Sequence, residues 1–181
     1  MPPDPALELL DAARHLADRV WRSTAPPEVR AEVAGVLREA ADRLGPPVEG
    51  APPVTPMGIR LPGRGHPLLP PLVRRGGEGR RVGTVTFTGA HAGAGEAVHG
   101  GQVCLLFDDV LGGVAVQAAP HSRTGYLTVH FRALTPLGVP LDVEGWVERV
   151  DGRKIYVEGR LLDGDKVCAE AESLYIAVDG W

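Results

Sequence analysis

The sequence has few cysteines and no long apolar run, and each scarcity excludes a class of protein. Its two cysteines, Cys104 and Cys168, are too few for a disulfide framework or a cysteine-based metal site. The uninterrupted apolar runs are short, such as 103–107, whereas a membrane-spanning helix needs about 20 apolar residues, so we expect no membrane span. No basic segment precedes an apolar stretch at the N-terminus, which argues against a signal peptide and predicts a cytoplasmic protein.

Positive charge is scarce as well. The chain has 19 basic and 23 acidic side chains, which gives a net charge of −4 at pH 7. Proteins that bind duplex nucleic acid usually carry a basic surplus, so we predict no nucleic-acid partner. The 181 residues, of which 44% are hydrophobic and 23% charged, are enough for one globular domain with an appendage.

Three regions of the chain differ in composition. Residues 1–44 contain two segments with apolar residues at helical spacing, separated by a break at 23–27, and they predict an N-terminal helical hairpin. Residues 45–80 hold nine of the 17 prolines and predict an extended connector, whose apolar stretch 66–73 should lie against a core. Residues 81–181 are predicted to form the main domain.

The main domain is predicted to be an antiparallel sheet wrapped around one helix. Alternating residues predict strands near 83–88, 126–133, 139–150, 154–161 and 167–178, and the segment 100–111 reads as an apolar helix. Asp-Gly pairs at 151–152 and 163–164 are hairpin turn signals. Because a nearly all-apolar helix must be covered on most sides, we expect the sheet to enclose it, in an α+β fold.

This helix carries a carboxylate on an unexpected face. Val103, Leu106 and Phe107 share one face, and Asp108 lies on the other side among small and apolar residues. That position predicts a pocket in which burial would raise the pKa of Asp108 and make it a stronger base, although a solvated helix edge is the alternative. Asp109 points about 100° away and is predicted to be a surface carboxylate.

A glycine pair opens the same helix. The N–H groups of a first helical turn have no partner within the helix, so the amides at Gly100 and Gly101 could hold a carbonyl oxygen that gains negative charge. The alternative is a turn that merely requires glycine. Cys104, one turn before Asp108, is interpreted as a packing residue rather than a nucleophile.

The run HGGQVCLLFDDVLG, residues 99–112, resembles the helix signature of hot-dog-fold acyl-CoA thioesterases of the PaaI type, in which His-Gly-Gly is followed, after six residues, by Asp. The stretches HPLLPPL, 123–147 and 152–178 extend the resemblance over about residues 64–178. The resemblance implies a hot-dog fold, here with an N-terminal helical hairpin. It also implies a homodimer or dimer of dimers whose active sites lie at the subunit interface.

The resemblance also implies roles for individual residues. Asp108 corresponds to the catalytic acid, acting as general base or nucleophile, and the Gly100 amide to the group that polarises the thioester carbonyl. Thr124 corresponds to a hydroxyl that orients the water or the acid. His99 matches the motif histidine, with a mainly structural role, and lies with Gly101 next to the expected substrate.

The chain departs from the family pattern in the loop before the helix. Some members carry an asparagine six residues before the motif histidine, where this chain has Gly93, and His91 or Glu96 could substitute for it. For the coenzyme A phosphates we consider Arg153 and Lys154 at a hairpin turn. The alternative phosphate-binding residues, here called the rival set, are four arginines whose guanidinium groups suit phosphates: Arg74, Arg75, Arg80 and Arg81.

The expected activity is hydrolysis of a fatty or aryl acyl-CoA to the free acid and coenzyme A, within lipid metabolism. No metal or other cofactor is expected, since coenzyme A is part of the substrate. Hydratase chemistry is disfavoured because the helix interior 102–111 lacks a histidine. A non-catalytic acyl-CoA sensor remains open, but residues 4–44, with six arginines and eight carboxylates, argue against DNA binding.

Overall fold

The structure is a computed structural model that describes residues 4–46, 62–75 and 80–178. The helices in these residues are α1 (Pro5–Trp21), α2 (Pro27–Leu44) and α3 (Gly100–Ala118). The strands are β1 (Val73–Arg75), β2 (Arg80–Thr86), β3 (Ser122–Phe131), β4 (Pro140–Asp151), β5 (Lys154–Asp163) and β6 (Lys166–Ala177). Part of the predicted connector, residues 47–61 and 76–79, lies outside the described residues.

All six strands form one antiparallel sheet in the order β1-β2-β4-β5-β6-β3. Helix α3 packs on one face of this sheet and touches β2, β3, β4, β5 and β6. The side chains between helix and sheet are fully buried, among them Phe107 on α3, Leu141 on β4 and Leu161 on β5. This is the hot-dog arrangement that the sequence predicted, because an apolar helix is stable only where a sheet covers it.

Helix α3 is longer than its sequence pattern indicated. The prediction ended it at Leu111, but it continues through Gly112 and Gly113 to Ala118. Val114 and Ala115, beyond the two glycines, are fully buried, and their burial stabilises the extra turns. Helix α3 is also long and apolar enough to cross a membrane, with a mean hydropathy of 1.2. The core helix of a globular protein meets the same criteria, because it too is surrounded by nonpolar groups.

The stretch 66–73 was predicted to lie against the core, and only part of it does so, since Leu68 is 68% exposed. Leu72 is 5% exposed and packs on β2 at Gly83, where an added Cβ would come within 2.5 Å of the Leu72 Cδ1 atom. The three residues that follow form β1, a strand that the sequence pattern did not predict. Three residues are too few for an alternating pattern to show, so only the pairing with β2 reveals the strand.

The two N-terminal helices form where the sequence predicted them. The side chain of Asp4 caps α1 by accepting a hydrogen bond from the N–H of Ala6 at 2.9 Å. Among the described residues of α1 only Leu10 is buried, and α2 has no buried residue. The apolar sides of the helices therefore do not close on each other. They line an open groove of about 450 Å³ instead.

Candidate functional site

The N-terminus of α3 is capped by the residue before it, His99. His99 caps the helix through its Nδ1 atom, which accepts a hydrogen bond from the N–H of Gly101 at 3.0 Å. The backbone N–H of His99 donates to the carbonyl of His91 at 2.8 Å, which ties the cap to the preceding loop. Gly100 is the first residue of the helix, so its N–H has no partner within the helix and is the amide left for a ligand.

The loop before α3 explains the departure from the family pattern at Gly93. A Cβ at this position would lie 2.8 Å from the His99 Cα and 3.1 Å from its backbone nitrogen, so no side chain fits without moving the backbone. Glu96, proposed as a substitute for the family's asparagine, is exposed. The close approach of the two backbone segments thus requires glycine where other members can carry asparagine.

His91 lies beneath this loop and serves as a structural cap. Its ring Nδ1 accepts a hydrogen bond from the N–H of Thr88 at 2.9 Å, and its side chain is buried against Phe87. Burial lowers the pKa of His91, although Asp18 on α1 and the Thr88 hydrogen bond oppose the shift. The ring Nδ1 atom is therefore occupied by the backbone.

Asp108 and Thr124 meet beside the middle of α3, about two turns after its N-terminus. The Thr124 hydroxyl donates toward the Asp108 Oδ1 atom over 3.4 Å. Thr124 reaches the helix because β3 carries a bulge, in which the pairing with β6 skips Gly125 between Thr124 and Tyr126. Bulges turn side chains away from the regular alternation and are frequent beside active sites.

The predicted exposures of the two neighbouring aspartates are reversed in the chain. Asp109, predicted to be a surface carboxylate, is 7% exposed and forms an ion pair with the Arg74 Nη2 atom at 3.2 Å. Asp108, predicted to lie in a pocket, is exposed in the single chain. The helix is rolled so that Asp109 faces the β1 edge of the sheet and Asp108 faces the β3 edge. The predicted angle between the two side chains was right, but the sequence does not say which edge of the sheet each side chain faces.

The two halves of the expected site are far apart within one chain. Gly100 and Asp108 are separated by eight helical residues, which at 1.5 Å per residue is about 12 Å. One thioester group cannot contact both. Beside Gly100 lies a groove of about 330 Å³, bordered by the half-exposed ring of Phe131 at the end of β3.

The candidate phosphate-binding residues fall into two groups. Arg153 and Lys154 are exposed at the turn between β4 and β5, and Lys154 sits across β6 from Arg123 at the Thr124 end of the sheet. In the rival set, Arg74 is paired with Asp109, and Arg75 contacts Thr84 and Asp142. The side chains of Arg80 and Arg81 lie outside the described part.

Sequence reasoning missed two residues at the site, Arg74 as the partner of Asp109 and Tyr175 near Asp108. Burial raises the pKa of Tyr175, and the nearby charge of Asp108 raises it further, whereas Ser173 and Thr124 lower it. Tyr175 sits at an inward position of β6 where the alternating pattern indicates only a core residue. No sequence signal distinguishes a core tyrosine from one at a site. In the described part of the chain, no three His, Cys, Asp or Glu side chains are grouped to hold a metal ion.

Comparison with known proteins agrees with this geometry, although no family model matches the chain. A thioesterase superfamily protein of known crystal structure is 31% identical, with a TM-score of 0.79, and the match covers 97% of this chain and 96% of the other. That protein therefore shares the N-terminal helices as well as the main domain.

Two other relatives are more distant. The acyl-coenzyme A thioesterase THEM4 of Xenopus laevis is 30% identical over 80 residues, which span 43% of this chain and only 36% of that protein. PaaI of Escherichia coli, 18% identical over 60% of this chain and 80% of its own, has the same fold with a TM-score of 0.57. The full-length match at 31% identity decides the assignment. The chain belongs to the thioesterase superfamily.

Proposed function

We propose that the protein hydrolyses an acyl-CoA thioester to the free acid and coenzyme A. The observation that carries the proposal is the pairing of Asp108 with Thr124 near the middle of a helix whose N-terminus presents the N–H of Gly100. Asp108 takes a proton from a water that attacks the thioester carbonyl carbon. Alternatively it attacks that carbon itself, and water then hydrolyses the resulting mixed anhydride to the free acid. The Gly100 amide stabilises the oxygen that becomes negative, and the thiolate of coenzyme A leaves readily without a strong acid.

The proposed site is completed by a second subunit. Among the described residues, strand β3 is an edge of the sheet that pairs with β6 alone, and its ten residues are a long edge for a monomer to leave open. Thr124 is near the start of β3, and Phe131, which packs beside Gly100, is its last residue. A copy of β3 laid antiparallel against it puts the start of one strand next to the end of the other. Asp108 of one subunit then approaches Gly100 of its partner, so the separation of about 12 Å within one chain no longer keeps the two groups apart.

The surface around the proposed site supports an acyl-CoA substrate in two further ways. The groove beside Gly100, with the half-exposed Phe131 at its edge, suits an apolar acyl or aryl group. Arg153 and Lys154 are the preferred contacts for the phosphates of coenzyme A, because Arg74 and Arg75 already have carboxylate partners. The acyl-CoA thioesterase of Xenopus laevis, although matched over only 36% of its length, supports this substrate class.

A second candidate is a non-catalytic acyl-CoA sensor. The observation in its favour is Gly93, because the loop has no room for the asparagine that helps to hold the water in some relatives. Both candidates bind acyl-CoA, and only release of free thiol separates them. Mixing the protein with a panel of acyl-CoA chain lengths and following free thiol would decide between them. Binding without thiol release would establish the sensor.

Substitution of the two neighbouring aspartates tests the assignment of the base. Asp108→Asn should lower kcat by about 100-fold or more without unfolding the protein, because the proton acceptor is lost. Asp109→Asn is the matched control. It should change kcat far less and should instead lower the melting temperature, because it weakens the buried pair with Arg74. Equal losses of activity in the two variants would contradict the role of Asp108.

Subunit mixing tests the shared site. Gly100→Pro removes the N–H in a backbone that accepts proline, because proline suits the first helical position and His99 already has the extended backbone (ψ 130°) that proline requires before it. It also adds side-chain atoms, and a Cβ at this position would lie 3.2 Å from the Phe131 ring. Gly100→Ala keeps the N–H and is the control. Asp108→Asn and Gly100→Pro chains, refolded together in equal amounts, should regain about a quarter of wild-type activity, because half the dimers are mixed and have one intact site each. Mixtures as inactive as the parents, or a 19.1 kDa monomer by light scattering, would refute the shared site.

A further inference from the structure

Tyr175 lies on the inner face of β6, against α3 and close to Asp108. Its side chain is 3% exposed, and an added Cβ at Gly112 would lie 3.6 Å from its hydroxyl oxygen. Gly112 is one helical turn after Asp108, so the two residues occupy the same side of α3. The tyrosine therefore brings a polar group to the flank of the helix that carries the proposed base.

The Tyr175 hydroxyl is buried with no hydrogen-bond partner among the described residues. The nearby Ser173 Oγ atom already donates its proton to the carbonyl of Tyr126 at 2.6 Å. Burial raises the pKa of Tyr175 and the charge of Asp108 adds to the shift, whereas the nearby Ser173 and Thr124 hydroxyls lower it. A buried donor without an acceptor costs stability, and a core position of this kind is normally filled by phenylalanine.

Thr124 is the residue placed to accept that proton. It is the direct cross-strand partner of Tyr175, and the two side chains therefore lie on the same face of the sheet. Its own hydroxyl proton points toward Asp108, which leaves the lone pairs of the Thr124 oxygen free to accept. The bulge at Gly125 interrupts the regular pairing of β3 with β6 directly after this residue.

We propose that Tyr175 is a positioning residue that acts through Thr124, in an inference that rests on the proposed function. Its hydroxyl donates to the Thr124 oxygen when substrate and the neighbouring subunit order the sheet edge. The Thr124 hydroxyl then donates its own proton to the Asp108 carboxylate. A hydrogen bond from Thr124 to the carboxylate orients Asp108 as a base.

Removal of the hydroxyl alone tests the proposal. Tyr175→Phe should lower kcat about three- to tenfold with KM unchanged, since one hydrogen bond is lost and no substrate contact. Its melting temperature should stay the same or rise, because the unsatisfied buried hydroxyl is gone. Tyr156→Phe is the matched control on β5, where the ring stacks on Arg149 away from Asp108, and it should leave kcat unchanged.

The double variant separates positioning from packing. If Tyr175 acts through Thr124, adding Tyr175→Phe to Thr124→Val should cause no further loss of kcat, whereas adding it to Thr124→Ser should still do so. A loss of the same size in all three backgrounds, or a loss explained by a lower melting temperature, would overturn the proposal. No change of kcat in Tyr175→Phe would overturn it as well.

A measurement that does not depend on turnover distinguishes this inference from the proposed function. The NMR resonance of the Asp108 carboxyl carbon, recorded with a non-hydrolysable acyl-CoA thioether bound, should differ between Tyr175→Phe and wild type, because the hydrogen bond from Thr124 to the carboxylate is weakened. A shifted resonance in a protein that releases no thiol would reject hydrolysis and keep the network. An unchanged resonance in an active thioesterase would reject the network alone.

Discussion

Helices α2 and α3 are nearly equal in length, with 18 and 19 residues, and both were predicted from an apolar repeat. Their surroundings differ completely. Eight residues of α3 are buried by the sheet, while α2 has no buried residue and exposes Val33 by 40% and Val36 by 59%. The comparison shows that an apolar repeat predicts a helix and its apolar face, but not what that face packs against.

Helix α1 is intermediate, because polar contacts rather than apolar area attach it to the main domain. The Asp18 Oδ1 atom accepts a hydrogen bond from the N–H of Ala90 at 2.6 Å, and Arg14 donates to the carbonyl of Pro62 at 2.9 Å. Ala90 belongs to the short turn that precedes the loop of Gly93 and the cap of α3. The N-terminal region therefore meets the main domain near the Gly100 end of the proposed site.

Truncation of a core side chain should give the largest effect in this comparison. Phe107→Ala on α3 should lower the free energy of unfolding by about 3–5 kcal/mol, since it removes a fully buried ring and leaves a cavity. Val36→Ala on α2 should change it by less than about 0.5 kcal/mol in the single chain. Urea denaturation measures both. A large, concentration-dependent loss in Val36→Ala would break the comparison and show that α2 is buried in an assembly.

Deletion of residues 1–44 should have an intermediate effect. We expect the unfolding free energy to fall by about 2 kcal/mol, because the burial of Leu10 and the hydrogen bonds of Asp18 and Arg14 are lost. Hydrolysis of a short acyl-CoA should survive, and a substrate panel would measure any change in chain-length preference. A folded deletion variant that is inactive toward every chain length would place α1 and α2 within the site.

The smallest effect concerns pH at the junction of the two regions. The pKa of His91 is lowered by burial from its ordinary value of 6.5, so the unfolded chain takes up its proton first as pH falls. The stability from neutral His91 is complete above pH 6.5 and is lost as pH drops below it toward the folded pKa. His91→Asn, which keeps an acceptor for Thr88, should flatten the melting temperature between pH 7.5 and about 5. His121→Asn, at an exposed position, is the control, and an equal flattening there would contradict the assignment.

The candidate site shows how far sequence reasoning extends. The spacing from His99 to Asp108 identified the helix, its open N-terminus and the carboxylate, and the family resemblance pointed to Thr124. The reversed exposures of Asp108 and Asp109 were not predictable, because a helical wheel gives the angle between two side chains and not the roll of the helix on its sheet. The role of Tyr175 was not predictable either, because it depends on a cross-strand neighbour 51 positions earlier in the chain.

The sequence by itself determined the elements and the family. Apolar periods of 2 and 3.6, the Asp-Gly turns and the His-Gly-Gly signature are local properties that each segment expresses wherever it lies. The tertiary structure alone decided which aspartate Arg74 would cover, how the bulge at Gly125 turns Thr124 toward Asp108, and that Gly93 has no room for a side chain. These are contacts between residues distant in the chain. They are set by how the sheet twists around α3 and which backbones it brings together, and no local pattern encodes that.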